Sequence, residues 1–278
     1  MSALVDKATA HAPLLLRVFV VTNLAGVGAD VYLAHQYNAF GHVTEWIPVA
    51  FSAIATLLVL PWMVRASTEP SWASRLAFTV FVGSIAVGAL GTYYHLASGH
   101  GLGNSLMRWV YSAPFAAPAA YSGIGLLGLV SMQPRWGGLR REQWVLLCGG
   151  LAFLANGVLC VVDHAQNGYA HPAEWLSVVT NLIAGFGLPL AAVRTELGAT
   201  ERKAVFGLAL CMVAVGLLGF ALHMGANLEV ARTQSVRQGF VFGAPSAAPL
   251  LLADAACVVL LGLLVGARDQ AATASPPR

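Results

Sequence analysis

Histidine, asparagine and glutamate recur in one order at two places in this chain of 278 residues. His35 to Trp46 reads HQYNAFGHVTEW, and His164 to Trp175 reads HAQNGYAHPAEW. Both give His, two residues, Asn, one residue, an aromatic, one residue, His, two residues, Glu and Trp. A second doubled stretch brings a third histidine: AVGALGTYYH ends at His95 and AVGLLGFALH at His223. Of the eight histidines, only His11 and His100 lack a partner in this scheme. Imidazoles plus a carboxylate are the ligand set of a divalent transition metal. The sequence therefore predicts a metal site at His35, His42, Glu45 and His95, and another at His164, His171, Glu174 and His223. The ligand types allow iron, copper, zinc or manganese without choosing among them. Asn38 and Asn167 are placed to orient a ligand from behind. The second set adds Cys160 and Asp163, where the first has Val31 and Ala34; the first has its own Asp30.

Part of the motif also reads as an ordinary helix start. His171 sits near the N-cap, Pro172 at the first helical position, and Glu174 in the first turn, where the helix dipole favours an anion. Trp175 is then an interfacial aromatic. This reading accounts for Glu and Trp but not for the paired histidines.

The rival cofactor is a b-type haem, held by His35 with His95 and by His164 with His223 as axial ligands. Gly28 and Gly157 lie seven residues before the first histidine of each pair. Gly88 and Gly216 lie seven before the second, and Gly91 and Gly219 four before it. Glycines at those offsets share the histidine's helical face and clear room for a flat macrocycle, or for close helix packing. Glu45 and Glu174 would stand near the haem propionates, which weighs against haem. No C-x-x-C-H occurs, so covalent haem attachment is not expected. A metal transporter would need polar residues continuing through the bilayer. Asn23, Asn156, Asn181 and Asp254 do not recur in matched positions. A scaffold subunit without chemistry is the remaining class. The leading expectation is a membrane metalloprotein for redox chemistry or metal handling, with a di-haem cytochrome as the alternative; whether it is an enzyme is left open.

The elements that must position these residues are membrane helices. The chain is 58% hydrophobic and 10% charged, with a mean hydropathy of +0.71, whereas a soluble domain carries roughly 25% charged residues. Apolar runs of about 20 residues, the length that crosses a bilayer, recur at 14–37, 44–64, 76–97, 106–131, 143–165, 173–194, 203–225 and 245–267. The doubling extends to VYSAPFAAP and VFGAPSAAP, ending at Pro118 and Pro249, and to LPWMVR and LPLAAVR, ending at Arg65 and Arg194. The predicted architecture is an all-α integral membrane protein of eight transmembrane helices, as two tandem, same-orientation four-helix repeats. The first repeat is 1–137, the second 138–267, and 268–278 is a disordered tail. Eight spans in two four-helix halves with outward-facing histidines resemble the architecture of the haem A synthase family. That family's Glu-x-x-His motif is absent, the order being His-x-x-Glu, so no residue role carries over.

Lys7, Arg17, Arg65, Arg75, Arg135, Arg140, Arg141, Arg194, Arg202, Lys203, Arg268 and Arg278 gather at one set of span ends, against Arg108, Arg232 and Arg237 at the other. The excess marks the cytoplasmic side. The expectation is a multi-pass plasma (inner) membrane protein with both termini cytoplasmic and the histidines outside. Its partners are the lipid bilayer and a redox partner or membrane-complex subunits; no basic tract suggests nucleic acid. Cys148, Cys160, Cys211 and Cys257 all fall in apolar segments, so no disulfide framework is expected. Pro114, Pro118, Pro245 and Pro249 read either as kinks shaping a cavity or as helix starts. Asp254, an ionisable residue inside a span, is a functional candidate by default. Glu229, Arg232 and Arg237 fall in the longest outer loop, which either covers the second site or contacts lipid headgroups, the latter being favoured.

Overall fold

The computed structural model describes residues 2–36, 39–65, 71–98, 106–194 and 196–274; Asn38, His100 and Arg278 lie outside them. In chain order the elements are α1 (Ser2–Gln36), a single 3-10 turn (Val43–Glu45), α2 (Trp46–Val64), α3 (Trp72–Ser98), α4 (Leu106–Tyr111), α5 (Ala119–Ser131), β1 (Arg135–Trp136), β2 (Leu139–Arg140), α6 (Arg141–Ala165), α7 (Glu174–Ala192), α8 (Ala199–Thr233), α9 (Val236–Val241) and α10 (Leu250–Ala274). Among the described residues, seven helices are long and apolar enough to cross a membrane: α1, α2, α3, α6, α7, α8 and α10. The chain is an all-α membrane protein.

The span predicted at 106–131 differs. It is divided into α4, a turn at 115–118 and the 13-residue α5. Proline has no N–H to donate and steers the residue before it away from helical geometry; Pro114 and Pro118 therefore break the run. At ~1.5 Å per residue α5 is about 20 Å long, less than the ~30 Å hydrocarbon thickness. The same break recurs as α9, a turn at 246–249 and α10. In both copies the second proline immediately precedes the new helix, at Pro118 and Pro249, so the prolines start helices rather than kink them. Helix α10 continues to Ala274, past residue 268, where a disordered tail was expected; 275–278 lie outside the described residues.

Packing closes two rings. α1 packs on α2, α2 on α3, α3 on α5 and α5 on α1; α6 packs on α7, α7 on α8, α8 on α10 and α10 on α6. The rings meet along two seams, α1 against α10 and α5 against α6. Small residues set the closeness, as they do where lipid gives no hydrophobic drive. A Cβ on Gly125 or Gly128 would strike α3 at Phe81, and one on Gly150 or Gly185 would strike Pro189 or Leu154 across the α6–α7 contact. Hydroxyls add bonds: Ser84 Oγ donates to Tyr121 O at 2.7 Å and Ser122 Oγ to Ile85 O at 3.1 Å, tying α3 to α5. The two rings are joined in sequence by the β1–β2 hairpin, whose Gly137 and Gly138 take φ of 57° and 84°, the positive values a two-residue hairpin turn demands.

One end of the molecule gathers the charges. Arg202 Nη2 pairs with Glu142 Oε1 at 2.7 Å, Arg141 Nε donates to Gln133 O at 3.1 Å, and the Arg17 guanidinium lies 5.9 Å from the Trp62 ring centroid. The six paired histidines gather at the opposite end.

Candidate functional site

The geometry starts from how the doubled motif ends a helix. After α1, Ala39 and Phe40 take φ of 55° and 54°; after α6, Gly168 and Tyr169 take 68° and 55°. This left-handed turn folds the chain back on the helix end. Phe40 N–H donates to His35 O at 3.1 Å, and Tyr169 N–H to His164 O at 3.1 Å. The aromatic then stacks on the motif's tryptophan: Phe40 on Trp46 with centroids 4.0 Å apart, Tyr169 on Trp175 at 4.3 Å. In the second copy the motif asparagine finishes the turn. Asn167 Oδ1 accepts from Tyr169 N–H at 3.2 Å, and its Nδ2 donates to Glu174 Oε1 at 3.1 Å. In the second copy histidine, asparagine, aromatic, glutamate and tryptophan thus lock one turn that fixes where His164 points.

That histidine faces the third one across the ring. α1 and α3 sit diagonally, as do α6 and α8. The ring centroids of His35 and His95 are 6.4 Å apart with planes at 84°, and those of His164 and His223 are 6.4 Å apart at 86°. All four imidazoles are half-buried. Each third histidine is held from behind. His95 Nδ1–H donates to Pro114 O at 3.0 Å and His223 Nδ1–H to Pro245 O at 3.0 Å. A carbonyl only accepts, so the proton is on Nδ1 and Nε2 carries the free lone pair. His164 Nδ1 lies 3.8 Å from Glu174 Oε2. Glu45 is within electrostatic reach of His95. His35 Nδ1 is out of contact with solvent and hydrogen-bonds to no described residue.

The doubled APxAAP stretch supplies this backing, a role the sequence reading did not assign. Pro118 Cβ stands 2.7 Å from where a Cβ on Gly91 would be, and Pro249 Cβ 2.8 Å from one on Gly219. Glycine four residues before the histidine therefore lets the proline turn dock against its helix. The signal lay in the doubling itself: the proline stretch recurs once in each copy, at an offset within three residues of that of the histidines. The other glycines are also filled by neighbours: Gly28 by Ser52, Gly157 by Asn181, Gly88 by Ser122 and Gly216 by the backbone of Pro249 and Ala253.

The predicted four-ligand sets are only partly brought together. His42 and His171 are exposed, and their side chains make no hydrogen bond or ion pair with the described residues; their carbonyls accept Glu45 N–H and Glu174 N–H at 3.1 and 3.0 Å. Among the described residues no group of three or more His, Cys, Asp or Glu side chains is disposed to hold a metal ion. Below the histidines the two rings differ. The first is crossed by Tyr121, whose hydroxyl meets Ser52 Oγ at 2.7 Å and Pro48 O at 2.9 Å. The second holds Asn181, which accepts from Asn156 Nδ2 at 3.3 Å and lies 3.8 Å from Cys160 Sγ. Asp163 is within electrostatic reach of His223. Compared with models of known protein families, with curated proteins and with solved structures, the chain matches none.

Proposed function

We propose that the chain is a membrane redox protein with two bis-histidine centres, one at the histidine end of each four-helix ring, each holding a b-type haem. The observation that carries this is the 6.4 Å separation of the imidazole centroids, repeated in both rings. Two imidazoles bound through Nε2 to opposite sides of one metal, with bonds of about 2.0–2.1 Å, put their centroids roughly 6.3 Å apart; tetrahedral binding brings them to about 5 Å. Ligand count favours the same choice. Glu174 faces Nδ1 of His164, the nitrogen opposite the one that ligates, so it backs the histidine instead of sharing its metal. With His42 and His171 exposed, two nitrogens remain per centre, and a macrocycle supplies the other four. Bound there, haem would supply one-electron transfer. The carbonyls of Pro114 and Pro245 would set the tautomer and orientation of His95 and His223, and the Glu174 carboxylate, 3.8 Å from His164 Nδ1, acts on that ring by its charge.

A second reading has its own observation. The glycines that would clear space for a macrocycle are occupied by neighbouring helices, which favours a single transition-metal ion between each histidine pair. A visible spectrum and elemental analysis of one purified sample separate the two. A Soret band with one iron per histidine pair, halved by His223→Ala, is expected. Stoichiometric metal without a Soret band would replace haem by the bare ion. Absence of both, in protein made with ample haem and metal, would overturn the proposal.

The same proposal takes the rings as two same-orientation repeats of four helices, the short α5 counting as the fourth span of the first. The matched offsets, the equivalent ring contacts and the two α1–α10 and α5–α6 seams support it. The arginine-rich end is then cytoplasmic with both termini, and the centres face outward at the plasma membrane. Cysteine labelling from either side of the membrane tests that arrangement.

A further inference from the structure

Where α1 meets α10, between the rings, an apolar groove of about 350 Å³ runs along the lipid-facing surface. Its walls include Leu15, Phe19 and Thr22 on one side and Cys257, Leu260 and Leu264 on the other. From Leu15 to Thr22 it spans about 10 Å of helix, and it is open along its length to the lipid. A polar pair lies outside the groove's lining but within about one helical turn of Phe19 and Cys257. Next to Thr22, Asn23 Nδ2 donates to Asp254 Oδ1 at 3.1 Å, and the Asp254 carboxyl is within electrostatic reach of Cys257 in the groove wall. Asp254 and Asn23 are only half-buried. The other carboxyl oxygen, Oδ2, hydrogen-bonds to no described residue, and the Asn23 amide is otherwise engaged only with Phe19 O at 3.2 Å. A polar group at hydrocarbon depth without a partner is costly.

We infer that this groove binds a neutral isoprenoid quinone or quinol, its tail against α1 and α10 and its ring oxygen on Asp254. The depth of the polar pair selects this chemistry. The groove runs from Asp254 toward the arginine-rich end, where Arg17 and Arg268 lie. A phospholipid with its charged headgroup at that surface would bring the methyl end of its chain against the carboxyl. A quinone carries an uncharged polar end on an apolar tail, so its ring oxygen suits Asp254 and its tail the apolar walls. Asp254 can accept from a quinol hydroxyl or, when protonated, donate to a quinone carbonyl. The inference is independent of what the histidine pairs hold, since it rests on the seam alone.

Calorimetric titration of the full chain in detergent with decyl-benzoquinone tests it, together with photolabelling by an azido derivative. Saturable binding is expected, with label in 15–22 and 257–264. Leu260→Trp, which fills the groove and leaves the polar pair intact, should weaken binding by roughly tenfold or more, and Asp254→Leu by roughly tenfold through the lost hydrogen bond. Gel filtration and circular dichroism establish that each variant is folded; if Asp254→Leu is not, Leu260→Trp decides alone. No saturable binding, unchanged binding in Leu260→Trp, or label confined to other segments would overturn the inference, as would labelling of the groove by a photoreactive phospholipid that the quinone fails to displace.

Discussion

Replacing Gly91 or Gly219 by alanine perturbs a centre without touching its histidines. In a helix interior, alanine is ordinarily better than glycine by up to ~1 kcal/mol. At these two positions the sign should reverse. The new methyl would stand 2.7 Å from Pro118 Cβ or 2.8 Å from Pro249 Cβ, where ordinary contact begins at 3.4 Å. The proline turn must retreat by about 0.7 Å in the first case. Passed on to Pro114, a retreat of that size would carry the 3.0 Å bond from His95 Nδ1 to Pro114 O beyond hydrogen-bonding range. Overpacking of this kind costs about 1–3 kcal/mol, and loss of a partner behind a metal-ligating imidazole lowers cofactor affinity by roughly 10–100-fold. Gly26→Ala and Gly225→Ala are the controls, because a Cβ at either meets nothing within 4 Å. Two assays apply: the thermal midpoint in detergent, and cofactor retained per protein after dialysis. Gly91→Ala should lose the first centre and keep the second; Gly219→Ala should do the converse; the controls should hold both. If Gly91→Ala and Gly219→Ala match the controls in both assays, the docking of the proline turn does not position the histidine.

Three further outcomes are expected. Arg202→Met should destabilise by about 3–5 kcal/mol because it strands a buried carboxylate: Glu142 is 3% exposed and Arg202 22%. Arg194→Met breaks a pair of similar length to Glu201, but those side chains are 64% and 37% exposed, so it should cost less than about 1 kcal/mol; unfolding in a denaturing detergent compares the two. Ala39→Gly should raise stability by up to about 1 kcal/mol, since Ala39 holds φ at 55° where the second copy already has Gly168 at 68°; an unchanged or lowered midpoint would contradict this. Asn167→Ala removes bonds to both Glu174 and Tyr169 N–H and should lower stability by about 1–3 kcal/mol and weaken the second centre, whereas His42→Ala and His171→Ala should leave spectrum and midpoint as they were.

Much of the plan was legible because it was written twice. The offset between the copies located the three histidine pairs, and the apolar runs located the membrane helices to within a turn at most ends. What could not be read was direction. Whether Glu174 ligates a metal or backs His164 depends on which imidazole nitrogen it faces, and that is set by left-handed residues at 168 and 169. No periodicity reports such a turn, and the first copy builds it with Ala39 and Phe40, neither of them glycine. The carbonyls of Pro114 and Pro245 were invisible for another reason: a backbone acceptor has no side-chain letter. Their bonds reach back 19 and 22 residues, across segments of different composition. The broken fourth span was legible in principle. Pro114 and Pro118 carried it, but the apolar run across them hid the interruption.

The two seams between the rings each join the first helix of one ring to the last helix of the other. A pair of separate half-length chains, each closing its own ring, would meet along those same two lines as a symmetric homodimer. The Gly137–Gly138 hairpin then reads as the scar of a gene fusion: it ties neighbours that were already in contact and asks nothing new of either partner. Such a fusion would also free the partners to diverge. A hydrogen bond such as that from Asn23 to Asp254, made at one seam and not repeated at the other, is a change that a homodimer would have had to accept twice.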